Sequence, residues 1–225
     1  MQDPGTALEW AAAIDVDVRA LPVRNTPSVD RVGRDYHRQL RSHPPAFVID
    51  VALALKESFG HRIGIPYDLV RYREDALARL GEPLVLRFAG TLDSWKTVDY
   101  FARDLAGPAW VRGRIGDELV DRWAHSKDRW WRRTALVCTV AWNTPVSGGA
   151  GDTERTLDLC RILIDDRDDM VVKAFSWALR SLIAFDRPAV ERFLAEHDET
   201  LAARVKREVR NKLETGRKNP RKGKT

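Results

Sequence analysis

The chain has only two cysteines, Cys138 and Cys160, and neither belongs to a CxxC pair or a Cys/His cluster. That argues against a disulfide scaffold and the common zinc modules, and both thiols lie in apolar stretches that read as buried. No run reaches the roughly 18 apolar residues of a membrane span. The opening Met1-Gln2-Asp3-Pro4 lacks the basic and then apolar pattern of an export signal. A soluble, cytoplasmic protein is therefore expected. Strand signals are nearly absent as well.

What the chain does have is charge, unevenly placed. The net charge is +5 over 225 residues, 44% of them hydrophobic. That is enough apolar material for one domain or one continuous helical array. From Arg204 to Thr225 there are ten Lys or Arg and two Glu, a net +8, which leaves −3 for the remainder. A basic end attracts polyanions such as nucleic acid; a solubilising tail would look the same. Gly, Pro and Asn join the cations near the end, so residues 214–225 are expected to form a disordered basic tail.

Apolar residues recur at spacings of three and four, and short punctuators separate the segments. The pattern predicts helices near 27–41, 45–58, 66–80, 82–91, 94–106, 108–124, 129–142, 153–166, 169–185, 187–196 and 198–213. Pro27, Pro45, Pro83, Pro108 and Pro188 fall at or near helix starts, where a missing N–H costs little. The one long loop runs from Asn143 to Asp152 and holds Gly148, Gly149 and Gly151. A weak internal repeat links Asp128–Leu136 with Asp168–Ser176 and places Arg133 and Lys173 40 residues apart, the period of a HEAT repeat. The expected architecture is all-α: a partly helical segment at 1–25, then a HEAT-like solenoid at 26–213 with a concave basic face. A compact irregular bundle is the competing arrangement. Stacked helix pairs make an extended curved face, which suits a rod-like partner better than a small metabolite.

Three positions sit oddly on their helices. At about 100° per residue, Trp177 lies opposite the apolar stripe of its helix, among Lys173 and Arg180. Either a neighbouring repeat covers it, or it is an aromatic surface framed by cations. Trp95, Asp99 and Arg103 form a line at i, i+4 and i+8 beside the stripe Val98, Phe101, Ala102 and Leu105. An Asp99–Arg103 surface pair is one reading; the other is a carboxylate partly desolvated by its indole neighbour. Arg133 lies in line with Leu136, Val137 and Val140. A guanidinium there wants a carboxylate, a phosphate or a route to water. Most of Trp123, Trp130, Trp131 and Trp142 read as core.

Three segments in order, Ser94-Trp95-Lys96-Thr97-Val98-Asp99, Trp130-Trp131-Arg132-Arg133-Thr134-Ala135 and Lys173-Ala174-Phe175-Ser176-Trp177-Ala178-Leu179-Arg180, resemble the signature segments of the AlkD-type DNA alkylation-repair glycosylases. The similarity runs from about residue 26 to 213 and is clearer after Leu80. The resemblance implies HEAT-like repeats and excision of N3- and N7-alkylated purines from duplex DNA, without metal or cofactor. It implies Asp99 as the catalytic carboxylate, Trp95 and Trp177 as walls about the deoxyribose, and Arg133 as a clamp on the DNA backbone. The first repeat looks short and the loop 143–152 long beside that pattern.

The chemistry suits these residues. Hydrolysis of an ordinary glycosidic bond takes two carboxylates, one to protonate the leaving group. A cationic alkylpurine leaves as a neutral base, so the acid is dispensable. One carboxylate then stabilises the positive sugar and orients water, and indole faces add about 0.5–2 kcal/mol each. No lysine stands with Asp99 as a nucleophile, which favours a monofunctional glycosylase of base-excision repair. Lys96, Arg103, Arg132, Lys173 and Arg180 are the candidate phosphate contacts, and a monomer on duplex DNA is expected. The alternative is a non-catalytic HEAT-like protein that binds structured DNA or a protein partner; a carboxylate facing phosphates would gain such a groove nothing.

Overall fold

The computed structural model describes residues 5–61 and 63–220, and among them there is no strand. The protein is all-α, in keeping with a helical repeat solenoid. The final residues of the expected disordered tail, 221–225, lie outside the described residues.

The N-terminal segment contributes one helix. Thr6 and Glu9 form a reciprocal capping box, and α1 runs Ala7–Arg19 behind it. Its Trp10, Ala11, Ile14 and Val18 join the same core as the rest of the chain. Asn25 and Ser28 start α2 (Thr26–Gln39) in the same way. Next come α3 (Pro45–Glu57), α4 (Ile65–Arg71), α5 (Glu74–Leu77) and α6 (Glu82–Ala89). The single helix expected over 66–80 is two, because Arg73 is extended between them (φ −120°, ψ 108°).

Ser94 and Thr97 cap α7 (Trp95–Phe101), and the helix widens at Ala102–Ala106 into a π-helical turn before α8 (Gly107–Val111). The helix expected over 108–124 is broken at Gly113. There φ is +64°, and the amides of Gly113 and Arg114 bond back to the carbonyls of Trp110 and Ala109. This is a Schellman stop, which only glycine enters without strain. Then follow α9 (Asp117–Ala124), α10 (Arg129–Trp142), α11 (Thr153–Ile162), α12 (Asp169–Glu196) and α13 (Ala203–Thr215). The break expected near 186 is present as a kink: Asp186 leaves helical geometry (φ −143°, ψ 72°) just ahead of Pro188.

Packing follows chain order. α1 lies on α3 and α3 on α4; α10 touches α7, α8, α9 and α12; α12 in turn carries α11 and α13. α10 is thus the central helix of the second half, and Ala135 through Val140 on it are buried. Trp123 is buried and stacks on the half-buried Trp131, with centroids 5.3 Å apart. Cys138 and Cys160 are fully buried and unbridged, and burial pushes both thiols well above their ordinary range. The loop 143–152 is pinned at its base, where buried Asn143 donates to Thr156 and accepts from the Asp152 amide. No helix among the described residues is long and apolar enough to cross a membrane.

Candidate active site

Three helix starts build the site. The Ser94 cap sets Trp95 at the first position of α7, so Asp99 follows one turn later on the same face. The side chain of Asp128 caps α10 and sets Arg133 in its second turn. The side chain of Asp168 caps α12, which places the Met170 carbonyl in its first turn.

Arg133 joins all three. Only 5% of it is exposed. Its Nε donates to Asp99 Oδ1 at 3.0 Å, and Nη2 donates to Oδ1 at 2.8 Å and to Oδ2 at 3.0 Å. Its remaining nitrogen, Nη1, donates to the Met170 carbonyl at 2.5 Å. The guanidinium found on an apolar stripe has therefore taken a carboxylate, not a phosphate or a path to water. The expectation that Arg133 clamps the DNA backbone does not fit this geometry, because every nitrogen of the fork is spent inside the protein. Burial pushes the Asp99 carboxyl above its ordinary value, against the pull of Arg133 and, farther off, Arg103. The side chain still keeps 16% exposure, so one edge of the carboxylate reaches solvent.

The Asp99–Arg103 surface pair suggested by the spacing does not form. Arg103 turns to its own neighbour: Nε and Nη2 donate to the two oxygens of Asp104, both at 2.7 Å. Asp104 is buried and also accepts from Arg71 Nη1 at 2.5 Å, while Arg71 Nε faces Asp68 at 3.1 Å. Sequence reasoning missed Asp104 and Arg71. The usable signal was Gly107-Pro108, read as a boundary between two helices: where the helix instead runs on through it, the proline ring clashes with the carbonyl four residues back and a wider turn relieves it.

Trp95 is 49% exposed, and the Lys96 ammonium lies 5.6 Å from its ring centroid. Lys96 is exposed and makes no ion pair among the described residues. Trp177 is half-buried against the core, two turns after Met170 on α12. The other candidate cations are internally engaged. Arg132 donates to Asp166 at 2.7 Å and to the Ser126 and Lys127 carbonyls at 3.0 and 2.9 Å. Lys173 pairs with Asp169 at 2.6 Å. Arg180 donates to Ser176 at 3.1 Å, and burial lowers its pKa below the ordinary value.

On the far side of Arg103 a cavity of about 930 Å³ opens between α2, α4 and α7, walled by Tyr72 and Tyr100 and fringed by Arg31 and Arg34. Taken together, the junction of α7, α10 and α12 offers a half-desolvated carboxylate with a fixed orientation beside an accessible indole. Such a pair is suited to stabilising positive charge that develops at its open edge. No curated protein and no solved structure matches the chain. Residues 1–213, the segment before residue 26 included, match the model of the DNA alkylation repair enzyme family, and the chain belongs to that family.

Proposed function

We propose that the protein is a monofunctional DNA glycosylase of base-excision repair that hydrolyses the N-glycosidic bond of cationic N3- and N7-alkylated purines in duplex DNA. The observation that carries this reading is the Asp99 carboxylate, held by Arg133 and open on one edge beside Trp95. A purine that is already cationic leaves without protonation, so the reaction asks chiefly for stabilisation of the oxocarbenium-like sugar and for a placed water. Asp99 supplies both. Its Oδ1 receives two of the three bonds from Arg133, so Oδ2 keeps the greater spare acceptor capacity for the water. Trp95 and Trp177 are the walls about the deoxyribose, and Lys96 is a phosphate contact at the mouth. The duplex lies along the concave face of a HEAT-like array, and the protein acts as a cytoplasmic monomer without a cofactor.

The test is incubation with duplex DNA carrying N7-methylguanine or N3-methyladenine, with chromatographic detection of free base. Wild type should release base from at least one lesion. Asp99→Asn should slow release by about 10²–10³-fold, the usual cost of losing one preorganised charge-stabilising group, while still binding the duplex. Binding without release by wild type would instead favour a non-catalytic DNA reader. Full activity in Asp99→Asn would remove Asp99 from the reaction.

A further inference from the structure

We propose that Asp104 is a positioning residue of the Asp99 site: it captures Arg103 on the π-helical turn and so leaves Asp99 paired with Arg133 alone. This rests on the glycosylase reading above. Asp99 and Arg103 stand four apart with the acid N-terminal to the base, the favoured order for an ion pair on a regular helix. The turn Ala102–Ala106 breaks that regularity. The Gly107 amide bonds to the Ala102 carbonyl five residues back, and Pro108 has no amide to restore the ordinary step. The wider turn carries Arg103 off the Asp99 line and sets it against Asp104, whose two oxygens match the guanidinium fork.

Asp104 is 3% exposed and stands between two guanidiniums, those of Arg103 and Arg71. Without its charge, the 41%-exposed Arg103 is left beside Asp99, to which it is already electrostatically coupled. A second guanidinium on Asp99 would occupy the spare lone pairs of Oδ2 and turn the local field positive. Both effects oppose a cationic transition state. The groups that bear on Asp99 are Arg133 from α10 and Arg103 and Asp104 from the π turn. The balance among them sets how much negative charge Asp99 presents.

Two double variants of equal net charge test this. Asp104→Asn with Arg103→Gln removes the cation that would migrate; Asp104→Asn with Arg71→Gln leaves it free. The second should release N7-methylguanine at least tenfold more slowly than the first. A carbon-13 titration of the Asp99 carboxyl should give a lower pKa in the Arg71→Gln pair than in the Arg103→Gln pair. Thermal melts of both establish that each is folded. Equal release rates together with equal Asp99 titrations would overturn the proposal. If wild type itself releases no base, the glycosylase reading fails, while the titration still reports whether Asp104 keeps Arg103 from Asp99.

Discussion

Arg133 grips Asp99 unevenly: Oδ1 takes bonds of 3.0 and 2.8 Å from Nε and Nη2, and Oδ2 takes a single 3.0 Å bond. Because the fourth bond goes to the Met170 carbonyl, one side chain ties α7 and α12 to α10. Removing one partner of such a pair leaves an uncompensated charge out of water, at a cost of about 3 kcal/mol. Arg133→Ala should lower stability by that order in urea denaturation, and Arg133→Lys by less. With burial of Asp99 no longer opposed, its carboxyl climbs further. The acid limb of the base-release profile should therefore move to higher pH in Arg133→Ala. The slope of log Kd against log salt should stay at the wild-type value, because every nitrogen of this guanidinium is already bonded within the protein.

Trp95 and Lys96 divide the work at the open edge. Trp95→Ala should cut the rate of base release by about 2–30-fold, the equivalent of 0.5–2 kcal/mol of cation–π stabilisation. An indole left 49% exposed contributes little to packing, so Tm should shift by no more than a surface substitution does. Lys96→Ala should weaken binding to any duplex and reduce the salt slope by about 0.9, one phosphate contact's share. A full-sized salt slope in Lys96→Ala would take Lys96 off the DNA.

The parts of this site that obey local rules were legible in the sequence, and the parts set by long-range pairing were not. Trp95 and Asp99 share a face because both follow the Ser94 cap on a regular helix, and four-residue spacing reports that correctly. The same spacing misled one turn later. It assumes 3.6 residues per turn, and the π turn departs from that, so Arg103 meets Asp104 instead of Asp99. Arg133 was visibly out of place on an apolar stripe, which required a partner. That the partner is Asp99, 34 residues earlier on another helix, is a fact of tertiary packing. Helix ends were blurred where glycine or an extended residue acts alone, at Gly113 and Arg73. At α1 the Thr6–Glu9 capping pair was readable but short of a long apolar repeat.

Gly107 is where the π turn meets α10, and it has no room for a side chain. A Cβ there would stand 2.7 Å from the Ala141 Cβ, 2.8 Å from the Ala102 carbonyl oxygen and 2.9 Å from that of Cys138. Two of these are backbone atoms, so neither can rotate away. Gly107→Ala should cost about 1–3 kcal/mol, as overpacking in a dense core does. It should also slow base release, because relief of the clash parts α7 from α10 and stretches the Asp99–Arg133 bonds. Gly113→Ala is the contrast. Nothing lies within 4 Å of its Cβ, so it should cost only the strain of φ +64°, about 1–2 kcal/mol, and leave the site geometry intact.

Asp68 gives stability a pH dependence of unusual sign for an aspartate. Burial, with help from Asp104 and Asp30, raises its pKa to about 6, although Arg71 and Arg103 pull the other way. The folded protein therefore holds a proton on Asp68 between pH 3.8 and 6 that the unfolded chain has released. The contribution of this group to stability is full below pH 3.8 and is lost as pH rises through about 6. Asp68→Asn cannot titrate, so its stability relative to wild type should improve steadily from pH 4 to pH 7 and then level off. Urea midpoints for both proteins at half-unit steps would measure it. A difference that stayed flat across that window would mean Asp68 titrates as an ordinary carboxylate, held down by its 3.1 Å pairing with Arg71.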